Sequence, residues 1–170
     1  QLPPEGLNLR QNLPPLVEEA KLVNHRLPAA TAFARANGID RVVIDGARRT
    51  LSIVTAGKAY LDVRQALVDL GLEEQACHRL GIRLYKPGLI WPMDKAGLNT
   101  FAVASQAVLV VEEKRPVMED QIARHLYGVD AQQRPALTGK QDLHGAPLLP
   151  SIGELTISAV RHAIRTLLNQ

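Results

Sequence analysis

The sequence predicts a three-layer α/β/α domain on a mostly parallel sheet with one antiparallel edge strand. Three observations carry that expectation. Short β-branched or apolar runs recur at Arg41–Asp45, Leu51–Thr55, Ile82–Lys86 and Ala107–Val111. From Thr55 onward, stretches of helical period separate these runs, the alternation that builds parallel β/α units. Ala107–Val111 is apolar throughout, as a strand covered on both faces must be.

In chain order, residues 1–15 carry Pro3, Pro4, Pro14 and Pro15 and read as a linker or extended arm, leaving 16–170 as a single α/β domain. Leu16, Ala20, Val23 and Leu27 are spaced 4, 3 and 4 apart, one face of a short helix. Pro28 should end it and open the next, Pro28–Asn37, with Gly38 as a left-handed cap. The short link between Arg41–Asp45 and Leu51–Thr55 predicts an antiparallel pair at the sheet edge. Tyr60, Val63, Leu67 and Leu70 make a helical face that stops at Gly71, and Glu73–Leu80 is a second short helix. Asp94 is placed to cap a helix running to about Ala104. Met118, Ile122 and Leu126 recur every fourth residue, with Glu119 and Asp120 at one end of that helix and Arg124 and His125 at the other, matching its dipole. Ala136–Thr138 adds a short strand, and Ser151 to Glu154 has capping-box spacing for a last helix with Val160, Ala163, Ile164 and Leu167 inward.

Composition narrows the function classes. The 170 residues are 46% hydrophobic and 22% charged, enough for one core without metal or disulfide staples. Twenty Lys and Arg against seventeen Asp and Glu give +3, with both signs spread along the chain, so no basic stripe marks a nucleic-acid binder. The single cysteine, Cys77, cannot by itself hold an iron–sulfur cluster or a cysteine zinc site. No run reaches the ~20 apolar residues that span a bilayer, and the first residues lack signal-peptide character. The first methionine is Met93. The expectation is a cytoplasmic segment of a longer polypeptide, without nucleic acid or membrane as partners.

Most chemical motifs fail on their frames. Gly57-Lys58 and Gly139-Lys140 lack the second glycine and the following hydroxyl of a phosphate loop. The serines have no nucleophile-elbow glycines, the five histidines no ligand spacing, and Cys77 reads as a small core residue. Two segments at strand carboxyl ends remain: Thr55-Ala56-Gly57-Lys58, and the loop carrying Glu112, Glu113 and Lys114, where six charges fall between Glu112 and Asp120. In open α/β sheets ligands gather at that edge. The candidate ligand- or interface-facing residues are Thr55, Gly57, Lys58, Glu112, Glu113 and Lys114. The plain alternative is a tight turn at Gly57, a solvated Lys58 and an ordinary charged turn.

These two segments and their surroundings resemble a known family. The blocks are ThrAlaGlyLysAlaTyrLeuAspValArgGlnAlaLeu (55–67), LeuGly (70–71), LeuTyrLys (84–86), TrpPro (91–92) and ValValGluGluLys (110–114). Glu119, Gln121, LeuTyr (126–127), ArgPro (134–135), GlyLys (139–140) and LeuPro (149–150) continue the pattern, after LeuProAlaAla (27–30) and PheAlaArg (33–35). Together they resemble indolepyruvate ferredoxin oxidoreductase in its large fused form, over roughly residues 25–160. The resemblance implies a transketolase C-terminal-like domain, similar to the second domain of pyruvate:ferredoxin oxidoreductase. It further implies a parent that converts arylpyruvate, coenzyme A and oxidised ferredoxin to aryl-acetyl-CoA, carbon dioxide and reduced ferredoxin. The parent's cofactors would be thiamine diphosphate, Mg2+ and [4Fe-4S] clusters, with coenzyme A as co-substrate. Its partners would be the other parent domains, ferredoxin and further copies of the chain. The Gly-Asp-Gly segment that holds diphosphate and magnesium has no counterpart here, and neither do the cysteine clusters. The segment is therefore expected to be a connecting, dimer-supporting domain that binds no cofactor itself and assigns no catalytic role to Glu112 or Glu113. The rivals are a small-anion (coenzyme A-type) binding module and a protein-interaction domain.

Overall fold

The computed structural model describes residues 3–4, 6–10 and 13–169. Five strands form one sheet: β1 (Arg41–Ile44), β2 (Leu51–Thr55), β3 (Ile82–Lys86), β4 (Ala107–Val111) and β5 (Ala136–Thr138), in spatial order β1-β3-β2-β4-β5. β2, β3, β4 and β5 run parallel, and β1 is antiparallel to β3. The central strand β2 is buried at every position, which is why its sequence is apolar or small throughout, with the Ser52 hydroxyl bonded to that of Ser105. Its last residue, Thr55, is in register with Val111 at the end of β4.

Helices cover both faces. α3 (Gly57–Asp69), α4 (Glu74–Leu80) and α7 (Ile157–Leu168) lie on one, where Val63, Ala66, Leu67, Cys77, Val160, Ala163 and Ile164 pack on Leu51, Ile53, Leu84, Leu109 and Val111. On the other face α5 (Lys95–Ala102) and α6 (Val117–Tyr127) bring Leu98, Phe101, Met118, Ile122 and Leu126 onto Val54, Val108 and Val110. The strand alternation thus sorts odd and even positions into two cores. Asp94 caps α5 as expected, accepting from the amides of Ala96 and Gly97, and a short ion pair to Arg35 holds its carboxyl below the usual carboxylate range.

Four expectations need correction. Pro28 does not break the N-terminal helix. The chain runs from α1 (Pro15–Lys21) through a π-helical turn, Leu22–Arg26, into α2 (Leu27–Ala36). In the wide turn the Leu27 amide bonds the Leu22 carbonyl five residues back, which relieves the clash that proline makes inside a regular α-helix. The second correction is strand pairing: β1 joins β3, not its sequence neighbour β2. β2 already has parallel partners on both sides, so the half-exposed β1 pairs at the free outer side of β3. Third, α5 ends at Ala102, two residues short of Ala104, which has a left-handed φ of 64°. Fourth, α7 starts after Thr156, whose hydroxyl accepts from the Ala159 amide, and not at Ser151. Glu154, expected in that cap, instead reaches Lys58 at 3.4 Å.

Of the stretch read as a linker, residues 1, 2, 5, 11 and 12 lie outside the described residues. The carbonyls of Leu7 and Asn8 accept hydrogen bonds from Arg26 at 2.7 and 3.0 Å, so this part of the arm is held along the helix.

Candidate functional site

The sheet order creates a crevice at the carboxyl edge. β2 and β4 are neighbours, yet α3 leaves β2 toward one face and α6 leaves β4 toward the other. Where adjacent strands send their connections to opposite faces, the loops part and leave room between them. Here that room is about 770 Å³, lined by Ala56, Gly57 and Lys58 from the first loop, Glu112 to Arg115 from the second, and Lys86, Pro87, Gly88 and Ile90 after β3. Gly57 has φ +59°, the left-handed turn that lets α3 start directly after the strand.

Five of the six residues singled out in the sequence, Gly57, Lys58, Glu112, Glu113 and Lys114, line this crevice. Thr55 does not. It is wholly buried at the end of β2, and its hydroxyl has no hydrogen-bond partner among the described residues.

Their roles differ. Lys58, with its side chain 49% exposed, gathers Asp62 at 3.1 Å, Glu154 at 3.4 Å and Glu113 at 3.6 Å, and donates to the Leu155 carbonyl at 3.2 Å. The hydrogen bond to Asp62 leads the influences that raise its pKa. Lys58 therefore ties α3 to the second loop and to the approach to α7. Glu112 is 7% exposed, and its carboxylate accepts from the amides of Met118 and Glu119 at 2.9 Å each. It serves as the cap of α6 from outside the helix, meeting the positive end of the dipole. Lys114 and Arg115 are exposed on the rim and form no ion pair among the described residues.

Beside the crevice lies a group that the sequence reasoning passed over. Lys140 is 8% exposed, and its Nζ donates to the Glu112 carbonyl at 2.6 Å and the Pro150 carbonyl at 3.1 Å. Burial pulls its pKa down against the attraction of Glu112, Glu119 and Glu113. Glu119 accepts from the Lys140 amide at 2.9 Å, and burial raises its pKa. Gly139 matters to this contact, because a Cβ there would collide with the Glu119 carboxylate. The repeated Gly-Lys pair was the available signal; testing it only against a phosphate-loop frame missed a buried structural cation. Lys86, also missed, stands at the end of β3 with its ammonium 4.9 Å from the centre of the Tyr60 ring. Its place at a strand's carboxyl end was the same signal that singled out the other crevice residues.

Comparison with known proteins agrees with this architecture. Residues 40–158 match the family model described as the indolepyruvate ferredoxin oxidoreductase middle domain. The chain is 28% identical over 114 residues to the indolepyruvate oxidoreductase subunit IorA of Thermococcus kodakarensis, covering 67% of this chain and 15% of that protein. It is 32% identical over 128 residues to the subunit of the same name from Methanothermobacter thermautotrophicus, covering 74% and 18% respectively. Among solved structures, a split-gene transketolase described as an inactive beta4 tetramer aligns with a TM-score of 0.52 and 20% identity, covering 78% of this chain and 43% of that one. That likeness bears out the transketolase-type fold. The chain spans less than a fifth of the length of the curated relatives it matches. Since the matched segment carries all five strands and both crevice loops, the chain belongs to the indolepyruvate ferredoxin oxidoreductase middle-domain family.

Proposed function

We propose that this domain is the connecting, dimer-supporting unit of a cytoplasmic thiamine diphosphate-dependent 2-oxoacid:ferredoxin oxidoreductase of the indolepyruvate type. In that enzyme, neighbouring domains of a longer polypeptide hold the cofactors and pass electrons to ferredoxin. The observation that carries this reading is the state of Glu112. It is the buried carboxylate at the switch-point edge, and both its oxygens are already taken by the first amides of α6. A carboxylate committed to a helix cap is not free to activate a cofactor.

The other groups do not fit the family's cofactors either. Among the described residues no cluster of three or more His, Cys, Asp or Glu is placed to hold a metal ion. Cys77 is buried with its thiol donating to the Leu72 carbonyl, and burial raises its pKa, the opposite of what a thiolate ligand to a cluster requires. The domain's own contribution is rigid geometry: the Lys58 hub and the Glu112 cap set the shape of the edge that a neighbouring domain would meet.

Calorimetry tests the reading. The 170-residue chain should melt cooperatively and at the same temperature with and without thiamine diphosphate and magnesium, because a ligand that binds the native state must stabilise it. A rise of several degrees would overturn the proposal. The longer polypeptide should reduce ferredoxin on addition of indolepyruvate and coenzyme A, and failure to do so would overturn the assigned reaction.

A further inference from the structure

We infer that the crevice between the ends of β2 and β4 binds a small organic phosphate, with the anion on Lys86, Lys114 and Arg115 and its carbon skeleton on Pro87, Ile90 and Val117. This does not depend on the oxidoreductase reading, since it rests on the crevice alone. Four basic side chains line the space, and one of them, Lys58, is occupied by Asp62, Glu113 and Glu154. The acids of the second loop are also occupied. The Glu112 carboxylate is turned into the start of α6, and Glu113 lies 3.6 Å from Lys58. What remains on the rim is positive: Lys114 and Arg115 from one loop and Lys86 from the end of β3, with no carboxylate paired to them among the described residues.

Cations arriving from two segments suit a group with several oxygens better than a single carboxylate. The guanidinium of Arg115 can also take two phosphate oxygens at once. The remaining wall is apolar, with Ile90 and Val117 47% exposed each and Pro87 beside them. A surface of this kind gains affinity from an apolar moiety attached to the anion. The size, about 770 Å³, lies within the range of small-molecule sites.

Isothermal titration of the 170-residue chain at fixed ionic strength tests this with three probes: inorganic phosphate, phenyl phosphate and ADP. Phenyl phosphate or ADP should bind saturably with Kd below about 1 mM, at least tenfold tighter than inorganic phosphate. The Lys114→Ala/Arg115→Ala double variant should lose at least tenfold in affinity. Arg161→Ala/Arg165→Ala, which removes two cations of α7 that do not line the crevice, should bind as the parent does. Both pairs lie on the surface, and equal melting temperatures would verify that the variants are folded. Tighter binding of ADP than of phenyl phosphate would assign a nucleotide, and the reverse an aryl phosphate. Absence of saturable binding by either ester at 10-fold that concentration would overturn the inference. So would inorganic phosphate binding as tightly as the esters, or equal losses in the two double variants.

Discussion

The dipeptide Gly-Lys occurs twice, at Gly57-Lys58 and Gly139-Lys140, and both lysines reach the same end of the sheet. Their surroundings make them different groups. Lys140 is 8% exposed and spends its protons on two backbone carbonyls, those of Glu112 and Pro150. Lys58 is half in water and holds three carboxylates at 3.1 to 3.6 Å. Burial pulls one pKa down, and hydrogen bonding to Asp62 pushes the other up. The buried lysine is an anchor whose removal strands its partners away from water, whereas two partners of the exposed one, Glu113 and Glu154, can turn to solvent and Asp62 alone of the three is largely buried.

Removing the anchor should be the largest effect. Lys140→Ala leaves the Glu112 and Pro150 carbonyls short of a donor and Glu119 without its nearby positive charge. Stranded buried groups of this kind cost about 1–3 kcal/mol, so urea unfolding should show a loss of about 2 kcal/mol. A loss no greater than that of Lys58→Ala would break the contrast.

Glu112→Ala should come next. It removes the acceptor of the first amides of α6 while leaving the Lys140 contact, which is to the Glu112 backbone. The expected loss is about 1 kcal/mol, typical of a helix cap, measured in the same way. Glu112→Gln should recover part of it, because the amide oxygen still accepts.

The alkaline pH dependence sharpens the comparison through opposite signs. The native pKa of Lys140 lies below its unfolded value of 10.5. Between the two the unfolded chain binds more protons, so this group's contribution to stability rises with pH toward 10.5. For Lys58 the native pKa lies above 10.5, and its contribution is fully present below 10.5 and lost as pH rises through the native value. The difference in unfolding free energy between the parent chain and Lys140→Ala should therefore grow as pH is raised toward 10.5. The difference for Lys58→Ala should stay flat there. Parallel pH profiles for the two variants would refute the assignment of these shifts.

These lysines also mark where the sequence was informative. Strands Leu51–Thr55, Ile82–Lys86, Ala107–Val111 and Ala136–Thr138 were legible to the residue, the first and third because strands covered on both faces are nearly continuous apolar runs, the other two from their place in the β/α alternation. The pairing of β1 was not, since it depends on β2 having its partners on both sides, a property of the whole sheet. The continuous helix across Pro28 was not legible either, because a π-turn leaves no compositional trace. At the site, strand ends pointed to both loops. The division of labour within them was hidden, because whether a lysine meets a carbonyl or a carboxylate depends on Leu155 and Pro150, segments far along the chain.

The smallest effect on folding, and the sharpest test of the exposed hub, is Lys58→Ala. Glu113 and Glu154 stay open to water when the ammonium is gone, and exposed ion pairs contribute little to stability, while the largely buried Asp62 loses its partner. The unfolding midpoint should fall by less than it does for Lys140→Ala or Glu112→Ala. Glu113 is nevertheless released from its 3.6 Å contact and adds an unpaired negative charge to a crevice rim that carries Lys114 and Arg115. Phenyl phosphate should then bind more weakly, and Lys58→Ala/Glu113→Ala should restore part of the lost affinity by removing that charge. If the proposed oxidoreductase is the parent and the crevice faces its reaction path, Lys58→Ala or Glu113→Ala in that enzyme should lower kcat/KM for the proposed substrates by about tenfold. Parental kinetics in both variants, together with unchanged phosphate binding, would reduce Lys58 to an ordinary solvated lysine.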